Sequence, residues 1–479
     1  MLNIESLDCD KLGFFRYKRM RNNYLLTNEF GKYSFLEEQG FEDLVSGHTD
    51  RLPRDKYDEL YNLGFINNRA ALEQISKGFA VKNSFLGQGT SLHIIVITLR
   101  CDHRCVYCQA SAQGLDKKIP DMDQTTAQHT VDRIFESSSD KITIEFQGGE
   151  PLINFKIFKF IVEYAKKKNK QAKKDLTFAL VTNLSFMQEN ILEYLLEQDI
   201  AICTSLDGPE NIHNRNRIIP GKKGGHKNVE RWVKRIRSRY KEKGIKDKLG
   251  SLTTITRHSL GYPQAIIDEY LRLGSNCIPL RPLSPFGNSK ESWSMIGYTV
   301  DEFIDFYRKA MDYIVELNLQ GKFIIERIAQ VFLYKILKCK DPGYLDIRSP
   351  CGAGIGQLAY YPNGDVYTCD EARMLASTGD DFFKLGNVKA DSYRNFVSHP
   401  TTKAMCISSC LDNIPQCSSC VYNPYCGVCP VYNYFTSGNI FSEAPNNRIC
   451  RLHTAILDYI FEKLGDQRVK KEVFERWLN

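Results

Sequence analysis

Apolar and polar positions alternate in two registers along this chain. From Leu92 to about Leu319, short apolar runs rich in β-formers occur at 92–99, 141–147, 176–182, 199–206, 251–256 and 276–283. Between them lie stretches with helical amphipathic spacing near 124–138, 155–168, 188–197, 227–243 and 261–273, with another at 301–318. Strand–helix units in succession predict an α/β fold of parallel strands joined by crossover helices. Six units fall short of a closed eight-unit barrel, so residues 89–320 are expected to form an open, partial (β/α)6 TIM-like barrel.

Ahead of it, Tyr24–Thr27 and Lys32–Phe35 flank Asn28-Glu29-Phe30-Gly31 as a hairpin, and helical stretches follow near Glu37–Val45 and Lys56–Asn62. Residues 1–88 therefore read as a small α+β, winged-helix-like module, with Gly87-Gln88-Gly89-Thr90 as its exit. Residues 321–350 read as a helical bridge. Residues 351–455 are rich in Cys, Gly, Pro, Asn and Tyr and poor in long apolar runs, which predicts too little core to hold them without metal. Residues 456–479 read as a closing amphipathic helix.

The chain has 479 residues, enough for roughly two to four domains. With 42% hydrophobic and 25% charged residues it is neither disordered, collagenous nor a coiled coil. No apolar run is long enough to span a membrane. Met1-Leu2-Asn3-Ile4-Glu5 lacks the apolar core of a secretory signal, which predicts a cytoplasmic, reducing setting. There the 16 cysteines point to metal rather than disulfides. Cys9, Cys203, Cys277 and Cys339 stand apart and read as small buried hydrophobes; the others crowd into two places.

The first is Cys101-Asp102-His103-Arg104-Cys105-Val106-Tyr107-Cys108, just past the C-terminal end of the first barrel strand, the edge where catalytic loops lie. Three thiolates in C-x3-C-x2-C spacing are one short of a closed zinc site. They fit three irons of a [4Fe–4S] cube and leave the fourth iron open to chelate a small molecule. Gly148-Gly149-Glu150-Pro151 follows the second strand. Its glycines would let a ligand approach the backbone, and Glu150 can accept hydrogen bonds from an ammonium group.

Together these motifs resemble the radical S-adenosylmethionine (SAM) enzymes. The resemblance implies that Cys101, Cys105 and Cys108 ligate the cluster and that SAM chelates its open iron. Gly148, Gly149 and Glu150 would hold the SAM amino group, with Tyr107 near the adenine. Reductive cleavage of SAM would give a 5′-deoxyadenosyl radical that abstracts a substrate hydrogen. Thr182-Asn183 stands where the family has Thr-Asn-Gly, with Leu184 in place of the glycine. Ser205-Leu206-Asp207-Gly208-Pro209 follows the fourth strand, and His213 and Arg217 come at family-like spacing. By resemblance Asn183 belongs to the SAM site, Ser205 contacts the ribose, and Arg217 serves a carboxylate or ion pair.

The second place is Cys351-x12-Gly364-x4-Cys369, a gap, Cys417-x2-Cys420-x5-Cys426-x2-Cys429, and Cys450. Two C-x2-C pairs suit zinc ribbons or two further iron–sulfur clusters. The pattern resembles the SPASM extension of peptide-modifying radical SAM enzymes, with x2 before Cys429 where that family has x3. The resemblance implies three [4Fe–4S] clusters in all. Cys351, Cys369 and Cys429 would hold the first auxiliary cluster, with Cys410 or Cys406 as a fourth donor. Cys417, Cys420, Cys426 and Cys450 would hold the second. Asp370 stands where sulfatase-maturating relatives have a proton acceptor, with Glu371 as its rival.

Leu25-Leu26-Thr27-Asn28, Gln88-Gly89-Thr90-Ser91-Leu92-His93, Cys105-Val106-Tyr107-Cys108-Gln109 and Tyr422-Asn423-Pro424-Tyr425-Cys426-Gly427-Val428-Cys429-Pro430 resemble the His-Xaa-Ser system radical SAM maturases. That likeness implies a ribosomal precursor peptide as substrate, an oxidative cross-link or other C–H functionalisation, and a second radical SAM maturase as partner. The rival is a sulfatase-type maturase that makes formylglycine from Cys or Ser. Peptide maturases often carry a small N-terminal module whose strand edge pairs with a leader peptide. The basic stretches Lys166–Lys170, Lys173-Lys174 and Arg231–Lys248 read as solvated faces or as a dock for an acidic electron donor such as a flavodoxin. Zinc ribbons with basic helices would suit nucleic acid, but that reading leaves the strand–helix alternation and Gly148-Gly149-Glu150 unexplained.

Overall fold

The computed structural model describes residues 12–67, 71–117, 121–222, 224–441 and 447–479. The sequence readings of Met1–Glu5 and of Cys9 lie outside these residues. The expected strand–helix alternation is present. Strands β4 (Leu92–Thr98), β5 (Lys141–Gly148), β6 (Asp175–Thr182), β7 (Ala201–Ser205), β8 (Leu249–Ile255) and β9 (Leu280–Pro282) pair in chain order, all parallel.

The helices that cross between them are α4 (Gln124–Phe135), α5 (Phe155–Ala172), α6 (Glu189–Glu197), α7 (Gly225–Glu242) and α8 (Pro263–Arg272). Their apolar stripes cover one face of the sheet. Ile142, Ile144 and Phe146 of β5 are fully buried with Phe158, Ile161 and Val162 of α5. The alternate residues, Glu145 and Gln147, point the other way, into the barrel interior. Asp123 caps α4 through Thr126 N at 2.6 Å. Thr299 and Glu302 close a capping box on α9 (Val300–Leu319).

Part of residues 351–455 shares the core of the barrel sheet. Strand β10 (Gln357–Tyr360) pairs parallel to β4, with Gln357 opposite Leu92 and Tyr360 opposite Ile95. Strands β11 (Asp365–Tyr367) and β12 (Lys384–Asn387) extend it antiparallel. One nine-stranded mixed sheet results, in the order β9–β8–β7–β6–β5–β4–β10–β11–β12. Leu358, Ala359, Tyr360 and Val366 are wholly buried. Such short strands need no long apolar run, because β4 offers a finished edge and a finished core. The Tyr360 hydroxyl meets His93 Nδ1 at 3.0 Å and fixes the junction.

Residues 12–67 and 71–82 form an antiparallel sheet of β1 (Arg16–Met20), β2 (Asn23–Thr27) and β3 (Tyr33–Glu37) with helices α1 (Glu38–Val45), α2 (Arg54–Leu63) and α3 (Ala71–Lys82). The hairpin and two helices match the sequence reading; β1 and α3 do not appear in it. This unit is docked on the cysteine-rich region. Thr27 Oγ1 donates to Val421 O at 2.7 Å, Tyr425 Oη to Gly31 O at 3.0 Å, and Lys18 pairs with Asp458 at 2.6 Å.

The bridge contains α10 (Arg327–Lys338). Its cap, Glu326, is fully buried and accepts from Leu280 N at 3.0 Å, Ala329 N at 2.6 Å and Tyr307 Oη at 3.1 Å, which ties the bridge to β9. The chain closes with α11 (Arg448–Leu464) and short turns to Leu478. Cys203, Cys277 and Cys339 are partly rather than fully buried. Much of the basic character is neutralised in place: Arg235 pairs with Glu189, Arg239 with Glu193, Arg237 with Asp247, and Lys168 with Asp132. No helix of the described residues is long and apolar enough to cross a membrane.

Candidate active site

The exit of β4 becomes the first cysteine loop. Cys101 N donates to Gln113 O at 2.8 Å and Val106 N to Asn216 O at 2.9 Å. Between these points, Arg104 and Cys105 pair antiparallel with Ile218 and Arg217. Cys101 is buried, and Cys105 and Cys108 partly so. Donors converge on sulfur: His103 N to Cys101 and Ala112 N to Cys108, each at 3.4 Å, and Asn183 Nδ2 to Cys101 at 3.5 Å. Such donors favour thiolate, the form that binds iron. Burial pushes the Cys105 thiol up to about 12, while the Arg217 cation acts in the opposite direction.

Gly148 and Gly149 give room to protein backbone. A Cβ on Gly148 would stand 2.3 Å from Thr98 O, and one on Gly149 would stand 2.3 Å from Arg100 O and 2.6 Å from Leu99 O. What approaches these glycines is the backbone that enters the cysteine loop. Gly149 N and Glu150 N donate to Thr98 O and Arg100 O at 3.0 and 2.9 Å, so the two loops are laced together.

Glu150 is fully buried and already engaged. It accepts from Leu152 N at 3.0 Å, from Thr182 Oγ1 at 2.8 and 3.0 Å, and from Asn183 N at 2.8 Å. Burial raises its carboxyl to about 7, against the pull of these donors. Asn183 Nδ2 also meets Asp102 Oδ1 at 3.1 Å. Leu184 has φ +63°, so the backbone keeps the shape suited to the glycine that the family carries here. Its side chain is wholly buried, which offsets the strain.

Tyr107 is buried, and its hydroxyl donates to Asp207 Oδ1 and Oδ2 at 2.9 and 2.8 Å. Arg217 Nη1 donates back to Tyr107 Oη at 2.7 Å. Arg217 Nε and Asn216 Nδ2 are buried without a partner among the described residues. Asp207 thus joins the cysteine loop to the end of β7; it lies inside the Ser205–Pro209 motif, but that motif alone does not single it out. Ser205 is half-buried at the end of β7.

The second set of cysteines sorts into two groups. Cys351, Cys369 and Cys429 line one cavity of about 190 Å³ together with Arg281, Tyr344, Asp346 and Glu371. Arg281 comes from β9, so this cavity reaches the last barrel strand. Ala372 N donates to Cys369 Sγ and Tyr432 N to Cys429 Sγ, each at 3.4 Å. Burial raises Glu371 to about 8, with Asp346 and Asp370 adding to the effect. Asp370 is held by Arg373, itself buried, through Nε at 2.7 Å and Nη2 at 2.6 Å. The pairing is readable as an i, i+3 spacing on one helix.

Cys417, Cys420, Cys426 and Cys450 form the second group: Cys417 and Cys426 each lie within electrostatic reach of both Cys420 and Cys450. Cys406 and Cys410 neighbour each other, and neither lines the cavity of the first group. Among the described residues, Cys101, Asp102 and His103 alone bring three potential ligand atoms within 4.8 Å of one another. Their proximity is a hydrogen-bonded turn, His103 Nδ1 to Asp102 Oδ1 at 2.9 Å.

Residues 95–261 match the family model described as the radical SAM superfamily. Residues 95–261 thus form a radical SAM domain, of a superfamily whose shared cofactors are a [4Fe–4S] cluster and SAM. The chain is 24% identical over 355 residues to a cysteine-type anaerobic sulfatase-maturating enzyme of Clostridium novyi, covering 72% of this chain and 90% of that protein. The solved structure of native anSMEcpe with bound AdoMet superposes with a TM-score of 0.63 at 18% identity, over 78% of this chain and 98% of that one. Streptococcus suis SuiB bound to precursor peptide SuiA gives 0.53 at 13% identity, over 91% and 99%. Both share the α/β fold with this chain.

Proposed function

We propose that this enzyme oxidatively modifies a ribosomally synthesised precursor peptide. The carrying observation is that Cys351, Cys369 and Cys429 open onto the cavity that Arg281 of the last barrel strand also lines. A second redox centre would thereby adjoin the barrel that carries the SAM site. The peptide in the SuiB structure and the sulfatase maturase of Clostridium novyi support a maturase.

Cys101, Cys105 and Cys108 would hold the SAM-binding cluster. Tyr107, Gly148, Gly149, Glu150, Asn183, Ser205 and Arg217 would shape the pocket for SAM. Cys351, Cys369 and Cys429 would hold one auxiliary [4Fe–4S] cluster, and Cys417, Cys420, Cys426 and Cys450 the other, in a C-terminal SPASM domain. When loaded, these groups supply a hydrogen-abstracting radical and a path for electrons. Asp370, kept in place by Arg373, would take the proton that the oxidised substrate loses.

Residues 12–82 would bind the leader. β3 is an edge strand, and a groove of about 690 Å³ runs beside it, lined by Lys32, Ser34, Lys56 and Glu59. An extended peptide could add there as a fourth strand. The test is incubation with SAM, a reductant and a precursor carrying His-Xaa-Ser repeats, followed by mass spectrometry. Loss of two hydrogens from the core peptide supports the reading. Formylglycine on a sulfatase-derived peptide, with the precursor untouched, replaces it with the sulfatase-type reaction.

A further inference from the structure

Three thiols face the cavity where the first auxiliary cluster is proposed, and a cubane has four irons. The two spare cysteines, Cys406 and Cys410, do not line this cavity. Three carboxylates stand at or beside it, and they are not equivalent. Asp370 is occupied by Arg373 at 2.6 Å. Asp346 lies by Arg281 and Arg348, and it accepts from Gln357 Nε2 at 3.5 Å. Glu371 forms no ion pair among the described residues, lines the cavity, and lies within hydrogen-bonding reach of the Cys369 thiol. Its charge acts on all three thiols and is the foremost charge on Cys369 and Cys429, whereas Asp346 outweighs it on Cys351.

We propose that the Glu371 carboxylate is the fourth protein ligand of the first auxiliary cluster, completing a three-cysteine, one-glutamate site. This rests on the reading that Cys351, Cys369 and Cys429 hold such a cluster. The chemistry is consistent: iron takes carboxylate oxygen as well as thiolate. The position is also consistent. Glu371 lies two residues after Cys369 at the start of a short helix, Asp370–Ala376, whose Ala372 amide already donates to the Cys369 sulfur. Asp370 and Glu371 then divide two tasks, proton acceptor and iron ligand.

The test uses full-length protein with Cys101, Cys105 and Cys108 all changed to Ala, so that the open SAM cluster is gone. After reconstitution, this background should carry about eight irons. Reduced samples are treated with ¹³C-cyanide and examined by electron–nuclear double resonance. With Glu371 present, no ¹³C coupling is expected; in Glu371→Ala, a coupling should appear. Coupling with Glu371 present would show an open iron and overturn the proposal. Absence of coupling in both proteins, with iron retained, would overturn it too. If Glu371→Ala loses about four irons, Glu371→Cys decides: retention supports ligation, and loss in both variants refutes it. A background protein without iron would instead sink the cluster reading itself, and the ligand with it.

Discussion

Arg373 grips Asp370 with two nitrogens, Nε at 2.7 Å and Nη2 at 2.6 Å. The same Nη2 reaches Gln147 Oε1 of β5 at 3.1 Å. A side chain from the cysteine-rich region is thus fixed to the barrel strand that leads into the Gly148-Gly149-Glu150 loop. The carboxylate proposed as proton acceptor is held at a set position between the two halves of the site.

Asp370→Asn should separate the two half-reactions. 5′-Deoxyadenosine should still form, because no SAM-site residue is changed. Modified peptide should fall at least tenfold, since a positioned base contributes roughly 10²–10⁴-fold. Quantifying both products in one reaction checks this. Equal loss of both would make Asp370 a structural residue.

Tyr107→Phe should destabilise the loaded enzyme. The change removes the hydroxyl that donates to Asp207 and accepts from Arg217, leaving a buried carboxylate short of a donor. Loss of about 1–3 kcal/mol is expected, read as a lower midpoint in anaerobic denaturant unfolding.

Gly149→Ala should cost the SAM cluster in particular. Its methyl would meet Arg100 O at 2.3 Å, where backbone must move, and that backbone leads straight into Cys101. About four irons should be lost and about eight kept. Iron analysis beside the unaltered protein reads this directly.

Amide hydrogen exchange tests the leader site without disrupting the fold. Removing residues 1–88 is too blunt, because Thr27 and Gly31 bond to the cysteine-rich region and Leu25 belongs to the main core. Adding precursor should slow exchange in Tyr33–Glu37, the edge strand. Unchanged exchange there would remove this strand from the leader site.

The sequence foretold the barrel better than its surroundings. Each of the six parallel strands buries a face under its own helix, so local periodicity carried the signal, as with Ile142, Ile144 and Phe146. β10, β11 and β12 were hidden because they are only four, three and four residues long, and the first of them is built on β4, a partner more than 250 residues away. β1 was hidden by its charge: Arg16 and Lys18 point to partners far along the chain, Ser418 and Asp458. At the site, cysteine spacing named the candidate ligands. It could not show that the glycines admit backbone, that Thr182 and Asn183 bond Glu150, or that Arg373 reaches Gln147, since each depends on contacts between distant segments.

The most direct measurement is the metal and sulfide content of anaerobically reconstituted protein, followed by a SAM-cleavage assay under reduction. About twelve irons with matching sulfide, and 5′-deoxyadenosine formed, are the expected result for a radical SAM maturase with two auxiliary clusters. About four irons with zinc in the remaining cysteines, or SAM left intact, would contradict it.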